Sequence, residues 1–308
     1  MKKILQILLF LTGIPVSLMA QDIQLTQFYA QPIYLNPAFA GDNVCSRFSL
    51  TYRNQWRGLG EAYITKMAAF DHAFTRANMG VGVLFAQDEA GAGGLRTTVI
   101  NPVVSYEARI DKFTAVRFGL QPGITMKSIN INRLIFGDQI YRGGGVATVE
   151  QVPQTRTYFD MGAGAIFSKY NYWVGVSAFH LNMPNESMYG SLFGRLPVKY
   201  SIHAGAKFDL NPDERDENLK RYITPVFHYR GQKKFDQVDI GFYYTKSFFT
   251  LGAWYRGIPG LKAYQPGYAN HDAIALVFGM QAKKIRIGYS YDNTLSDLVG
   301  ISKGAHEV

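Results

Sequence analysis

The sequence predicts an all-β protein: a transmembrane antiparallel β-barrel of about 14 strands that follows a short N-terminal segment. Three observations predict this class. Apolar and polar residues alternate with a period of two, the strand-like runs are long, and the chain is rich in aromatic residues and glycine but poor in charge. Aromatic residues make up 14% and charged residues 18% of the chain, which contains 31 glycines. The charged fraction lies below the roughly 25% of an ordinary soluble domain.

The first twenty residues carry the three parts of a secretory signal peptide. Lys2 and Lys3 give a basic start, and residues 4–11 form an apolar core too short to span a bilayer. Ala20 is a small residue at the expected cleavage site. The predicted division is a signal peptide over residues 1–20, a plug-like segment over 21–44 and an outer-membrane β-barrel over 45–308.

Alternation between an apolar and a polar face is clearest over residues 117–127. Phe118 and Leu120 fall on one face, and Gln121 and Thr125 fall on the other. Strands of soluble domains usually have about five or six residues, whereas tilted membrane strands need about nine to eleven, so the long runs favour a membrane barrel. The expected strands are 45–56, 62–74, 78–87, 96–110, 113–128, 158–168, 171–181, 197–209, 221–230, 235–245, 248–256, 272–282 and 284–293.

The connections between these strands provide a second test. If the mature N-terminus lies in the periplasm and the first strand runs outward, short turns should follow even-numbered strands and longer outer loops odd-numbered strands. Most connections fit this rule, although the longer turn at 211–217 and the short one at 231–234 do not. These strands are odd in number, whereas bacterial barrels close with an even number. Residues 304–308 resemble the beginning of another strand, so we expect a last strand that is cut short by the end of the sequence.

The formal net charge is +9, and the basic residues are scattered along the sequence rather than clustered. A nucleic-acid site would need Lys and Arg concentrated on one face, so no nucleic-acid partner is expected. A basic surface that faces anionic lipid headgroups fits an exported protein better. Outer-membrane lipid is therefore the first expected partner.

No arrangement of residues is typical of catalysis, cofactor binding or metal binding. The Gly-rich stretches at 91–94 and 143–145 lack the Lys-Ser/Thr pair that follows in a phosphate-binding loop. His180, His203 and His228 lie on separate predicted strands and are not expected to meet. The sequence therefore predicts neither an enzyme nor a cofactor.

A motif near the start of the mature chain carries a resemblance to a known family. The run "QFY" at residues 27–29 is followed by "YLNPAFAG" at 34–41 and "YRNQW" at 52–56. Together they resemble the start of the PorP/SprF family, outer-membrane proteins associated with type IX secretion and gliding motility of certain Gram-negative bacteria. The matching residues, and hence the expected structural or partner motif, are Asn36, Pro37, Ala38, Gly41, Arg53, Gln55 and Trp56.

The resemblance implies an outer-membrane barrel that is accessory to type IX secretion. Its partner would be either the periplasmic ring-and-motor assembly or a large secreted surface adhesin, whose C-terminal signal region the barrel would receive and hold at the cell surface. Asn36-Pro37 is expected to fix a turn and Gly41 to permit a bend, so that the segment folds back into the barrel mouth. Arg53 or Trp56 would then hold the segment there.

FadL-like outer-membrane transporters of hydrophobic small molecules are the alternative. They have a similar number of strands and an Asn-Pro-Ala motif in an N-terminal hatch, but the segment over residues 21–44 is short for such a hatch. A channel of this kind needs an apolar pocket in the lumen and a lateral opening. The predicted inward faces are instead rich in Lys, Ser, Gln and Gly, which favours the secretion partner.

Overall fold

The structure, a computed structural model, describes residues 22–43, 45–59, 63–91, 93–144, 147–149, 153–189, 194–216, 219–233, 235–258, 271–295 and 302–308. The predicted signal peptide lies outside the described residues. The strands are β1 Arg47–Gln55, β2 Tyr63–Phe74, β3 Met79–Ala90, β4 Leu95–Arg109, β5 Thr114–Ser128, β6 Thr155–Lys169, β7 Tyr172–Phe179, β8 Lys199–Ala206, β9 Phe208–Asp209, β10 Arg221–Gln232, β11 Phe235–Lys246, β12 Phe249–Gly257, β13 His271–Ala282, β14 Ile285–Thr294 and β15 Ala305–Glu307.

These strands form one closed antiparallel sheet. Strands β8 and β9 both pair with β10, so the described strands fill 14 positions around the ring. The ring closes because β10 pairs with β11, while β15 pairs with β14 on one side and β1 on the other. The predicted all-β barrel of about 14 strands is therefore confirmed.

The outer wall of the barrel is apolar and the inner wall is polar. In β5, Phe118 and Leu120 are 55% and 54% exposed, whereas Gln121 and Thr125 are each 3% exposed. The same alternation recurs in β8, where Ile202 is exposed and His203 is buried. Strands with a lipid-facing apolar side and an inward polar side are the pattern of outer-membrane barrels.

The two ends of the barrel differ in their connections. We call one the short-turn end, because its turns are mostly short, and the other the long-loop end. The short-turn end carries connections 75–78, 110–113, 170–171, 210–220, 247–248 and 283–284. The long-loop end carries connections 56–62, 91–94, 129–154, 180–198, 233–234, 258–270 and 295–304. In bacterial barrels the short turns typically face the periplasm and the longer loops face outward. Strand β1 starts from the short-turn end.

In the described ranges, helical structure is confined to short pieces. Helix α1 spans Pro32–Leu35 and helix α2 spans Gly137–Tyr141, and single 3₁₀ turns lie at Phe28–Ala30, Pro37–Phe39, Arg57–Leu59 and Ile131–Arg133. The sequence pattern did not predict these pieces, because a single turn is too short to show helical periodicity. Within the described ranges no helix has the length and apolarity that crossing a membrane requires.

Candidate functional site

Residues 22–43, here called the N-terminal segment, run through the interior of the barrel. The side chains of Leu25, Phe28 and Ile33 are at most 5% exposed. The segment contacts opposite walls of the barrel. Thr26 forms hydrogen bonds with β1, β14 and β15, and Asn36 forms hydrogen bonds with β6, β7 and β8. The segment therefore supplies hydrogen-bond partners to polar side chains on both walls.

The direction of the N-terminal segment differs from the sequence-based assumption. Asp22 lies beside His180 and Lys199 at the long-loop end, whereas Gly41 lies beside Asp71 in the half of the barrel nearer the short-turn end. The segment thus enters the described structure at the long-loop end and runs toward the short-turn end before β1 begins. The sequence-based expectation places the mature N-terminus at the end from which β1 starts, whereas Asp22, the first described residue, lies at the long-loop end.

A buried ionic cluster joins the start of the segment to the seam of the barrel. The Glu307 carboxylate accepts hydrogen bonds from the backbone N–H groups of Thr26 and Gln27 at 2.7 and 2.8 Å. Arg53 forms ion pairs with Glu307 at 3.0 Å and with Asp292 at 2.8 Å, and its side chain is 2% exposed. Buried charges are stable only when each is paired and hydrogen-bonded, and here each carboxylate meets this condition.

The Thr26 hydroxyl lies at the centre of this cluster. It donates to the Asp292 carboxylate at 2.7 Å and accepts from the guanidinium groups of Arg53 at 2.7 Å and Arg256 at 3.1 Å. Arg256 also pairs with Asp292 at 3.1 Å and with Asp239 at 3.0 Å. One small hydroxyl of the segment therefore contacts charged groups from β1, β12 and β14 together.

Two histidines extend the polar wall beyond Asp239. His203 and His228 are direct neighbours across β8 and β10, and His228 is in turn the neighbour of Asp239 in β11. The expectation that these histidines would not meet is wrong for this pair. Their meeting depends on the register across the connection 210–220, and the length of an irregular connection is not readable from alternation alone.

The middle of the segment packs as an aromatic group. The Phe28 ring lies 5.0 Å from the Trp254 ring and 4.7 Å from the His228 ring, measured between centroids. The Tyr29 ring lies 6.1 Å from that of Trp173 on the other side. Such edge and tilted contacts are favourable beyond simple burial, so the segment fills this level of the lumen with rings.

Asn36 fixes the turn that follows helix α1. Its Oδ1 atom accepts from the backbone N–H of Ala38 at 2.9 Å, which caps the 3₁₀ turn that begins at Pro37. Its Nδ2 atom donates to the carbonyl oxygens of Ala165 and Val176 at 3.2 and 3.0 Å. The Asn36 side chain, which is fully buried, thus shapes the segment and attaches it to β6 and β7.

The barrel wall leaves room for this turn by having glycine opposite it. A Cβ atom at Gly119 would overlap the backbone of Pro37 and Ala38, and one at Gly164 would overlap the Asn36 side chain. The close contact of Asn36, Pro37 and Ala38 with the wall therefore depends on glycine at these positions.

Gly41 ends the interior course of the segment. Its φ of +63° lies in the left-handed region, and its N–H donates to Asp71 at 2.8 Å. Asp71 also forms an ion pair of 2.8 Å with Arg47, which is the first residue of β1. The bend at Gly41 thus leads directly from the interior into the barrel wall.

A second ionic group holds the start of the N-terminal segment, at Asp22, near the long-loop end. The Asp22 carboxylate lies 2.6 Å from Lys199 Nζ and 2.9 Å from His180 Nε2, and His180 Nδ1 lies 2.7 Å from Asp160. Burial of the His180 ring disfavours its charged form, but the neighbouring carboxylates outweigh burial and raise the pKa of His180 to about 9. Burial would likewise raise the pKa of Asp22, but Lys199 and His180 hold it well below its usual range.

A known protein family matches nearly the whole sequence. The family described as type IX secretion system membrane protein PorP/SprF matches residues 17–308. The chain belongs to the PorP/SprF family. No curated protein matches it in sequence.

Solved structures similar to this PorP/SprF barrel include variants of the porin of Rhodopseudomonas blastica. One variant has 9% identity and a TM-score of 0.36, with 85% of this chain and 98% of the porin covered. A second has 9% identity and a TM-score of 0.35, with 86% and 98% covered. These values are too low to support a functional inference.

The structure divides the residues of the PorP/SprF motif into groups. Asn36, Pro37 and Ala38 form the turn against β5 and β6, while Arg53 lies in the ionic cluster with Gln55 as an acceptor at 3.3 Å. Trp56 belongs to neither group. It has a φ of +56°, donates its backbone N–H to the Gly304 carbonyl and packs edge-on against Tyr63.

The sequence pattern does not show that several further residues hold the segment in this PorP/SprF barrel. Each is either a charged or polar residue on the inward face of a strand or a polar residue between apolar ones in the N-terminal segment, and this pattern is visible in the sequence. The sequence does not show which of these residues contact each other. They are Thr26, Gln27, Asp71, His180, Asp239, Arg256, Asp292 and Glu307. Among the described residues, no group of three His, Cys, Asp or Glu side chains could hold a metal ion. The arrangement is suited to holding a chain segment.

Proposed function

We propose that this PorP/SprF barrel is a plugged outer-membrane partner protein of type IX secretion, which binds a large secreted adhesin and holds it at the cell surface. Residues 21–44 are its plug and residues 1–20 its cleaved signal peptide. Family membership supports a role in type IX secretion. The observation that carries the rest is the ionic cluster of Arg53, Asp292 and Glu307 around Thr26.

This cluster argues against transport as the main activity. To open a path through the lumen, the N-terminal segment would have to leave, and two buried carboxylates and two arginines would lose the hydrogen bonds that Thr26 and Gln27 make to them. Separating partners in a buried network costs several kcal/mol. A barrel that keeps its interior filled acts through its outer surfaces, which fits a partner of other proteins better than a FadL-like transporter.

The loop between β5 and β6 provides a surface for such a partner at the long-loop end. Asp138 organises the loop by accepting from Thr148 Oγ1 and the Val149 N–H at 2.8 and 2.9 Å. On this framework Ile140 and Tyr141 are 68% and 92% exposed. Large apolar side chains held on an ordered loop outside the membrane are typical of protein contact sites.

The test is affinity purification of the full-length barrel from outer membranes in mild detergent, followed by mass spectrometry of the bound proteins. We expect one large secreted protein with a C-terminal signal region. The double variant Ile140→Ser/Tyr141→Ser should lose it, whereas Leu219→Ser, an exposed apolar residue of the short-turn end, should retain it.

Two other outcomes would contradict this proposal. If the Leu219 variant loses its partner and the loop variant does not, the partner is bound at the periplasmic end, as the link to a motor ring requires. If the barrel is recovered alone with an apolar small molecule, the FadL-like transporter is the better account.

A further inference from the structure

Exposed cations surround the short-turn end of the barrel. Each of its six connections carries at least one exposed Lys or Arg in the turn or at the adjoining strand end. Arg109 is paired with Glu107, and Arg215 and Arg221 belong to the acidic connection 210–220. The other six cations are Arg76, Lys112, Lys169, Lys246, Lys283 and Lys284. They lie far apart in the sequence, but the alternation of short and long connections brings them to one level of the barrel.

None of these six cations pairs with a carboxylate in the described part of the chain. The long-loop end differs, because Arg96 and Arg133 both pair with Glu89, and Arg142 pairs with Asp138. Most carboxylates at the short-turn end bind other groups than these six cations, or lie together near connection 210–220. Glu107 binds Arg109 and Arg117, and Asp42 lies 4.0 Å from Arg117. Asp71 binds Arg47, and Asp111 accepts from the Phe113 N–H. The described acidic residues near connection 210–220 are Asp209, Asp213, Glu214 and Asp216.

Exposed rings lie next to the cations. Phe113 and Tyr170 are 57% and 64% exposed and stack with centroids 4.6 Å apart, beside Lys112 and Lys169. Phe248 is 48% exposed and lies 4.1 Å from the Phe249 ring, close to Lys246. Aromatic side chains at the edge of an apolar wall mark the level of the lipid headgroups. The cations therefore lie where lipid phosphates are found.

We propose that the short-turn rim, defined by these six cations and their neighbouring rings, binds the phosphate groups of anionic phospholipids in the leaflet it faces. The distribution favours lipid over a protein partner, because the cations are spaced around the ring from β2 to β14 and each adjoins a lipid-facing side chain. A protein partner of acidic charge would need a patch on one side. The acidic connection 210–220 is the one interruption. This inference does not depend on the proposed secretion role.

The test compares how spin-labelled phosphatidylglycerol and spin-labelled phosphatidylcholine associate with the barrel, reconstituted in phosphatidylcholine vesicles and measured by electron paramagnetic resonance. At low salt we expect a preference of about two- to fivefold for phosphatidylglycerol, falling toward one in about 1 M salt. The triple variant Lys246→Gln/Lys283→Gln/Lys284→Gln should lose most of this preference.

A matched variant removes the same charge from the long-loop end, at the exposed residues Arg57, Arg195 and Lys303. Arg57→Gln/Arg195→Gln/Lys303→Gln should keep the preference. Heat-modifiable migration in gels verifies that both variants are folded barrels. Equal association of the two lipids with the wild type, or an equal loss in both variants, would overturn the proposal.

Discussion

Glu307 in the last strand accepts a hydrogen bond of 2.7 Å from the backbone N–H of Thr26, although 281 positions separate them in the sequence. The same carboxylate binds the Gln27 N–H and Arg53. Because β15 closes the ring between β14 and β1, this contact ties closure of the barrel to occupation of its lumen.

Replacing Glu307 with Gln should therefore destabilise the whole barrel. The amide keeps one acceptor oxygen but presents an NH₂ group to donors and removes the charge that pairs with Arg53. Loss of one member of a buried pair costs about 3–5 kcal/mol, and the urea midpoint of the folded barrel in detergent would measure it. Glu89→Gln is the control, because Glu89 pairs with exposed arginines and its loss should cost less than about 1 kcal/mol. Equal effects would contradict the special role of Glu307.

Thr26→Val tests the centre of the ionic cluster with little change of shape. The substitution removes one hydroxyl that contacts Asp292, Arg53 and Arg256, and the expected loss is about 1–3 kcal/mol because buried charged groups lose a partner. Limited proteolysis should then cleave within residues 22–43 faster than in the wild type. A variant as resistant as the wild type would show that the ionic cluster does not hold the segment.

Gly41→Ala tests the bend at the end of the segment. An alanine at a φ of +63° costs about 1–2 kcal/mol, and its Cβ would lie 2.6 Å from the Gly80 Cα atom. We expect a lower urea midpoint. Gly137→Ala is the matched control, because no atom lies within 4 Å of a Cβ there, and it should be neutral or slightly stabilising. Similar behaviour of the two variants would contradict this account.

Alkaline pH should loosen the outer end of the segment. His180 has its pKa raised from 6.5 to about 9, so its stabilising contribution is complete below about pH 6.5 and is lost as the pH rises through about 9. At about 1.4 kcal/mol per pKa unit, the contribution is on the order of 3 kcal/mol. Urea midpoints measured from pH 6 to 10 should fall for the wild type. The slope should be much smaller for His180→Gln, and equal slopes would exclude this residue as the cause.

Strand positions and faces were predictable because each depends on local alternation. Phe118 and Gln121 were assigned to opposite faces correctly, since a strand with lipid on one side and polar groups on the other must alternate. Contacts across the lumen, and the pairing of strands joined by an irregular connection, were not predictable. The pairing of Thr26 with Glu307, and of His203 with His228, depends on the register of the closed ring and on the path of an irregular segment, neither of which has a local signal.

The central claim is that the barrel keeps its lumen filled by its own N-terminal segment. The conductance of purified full-length protein in a planar lipid bilayer at neutral pH tests it most directly. We expect a closed barrel with no steady conductance, and brief openings in the double variant Asp22→Asn/Arg53→Ala, which weakens both ionic attachments. A stable open conductance of the wild type, on the scale of a porin, would contradict the account.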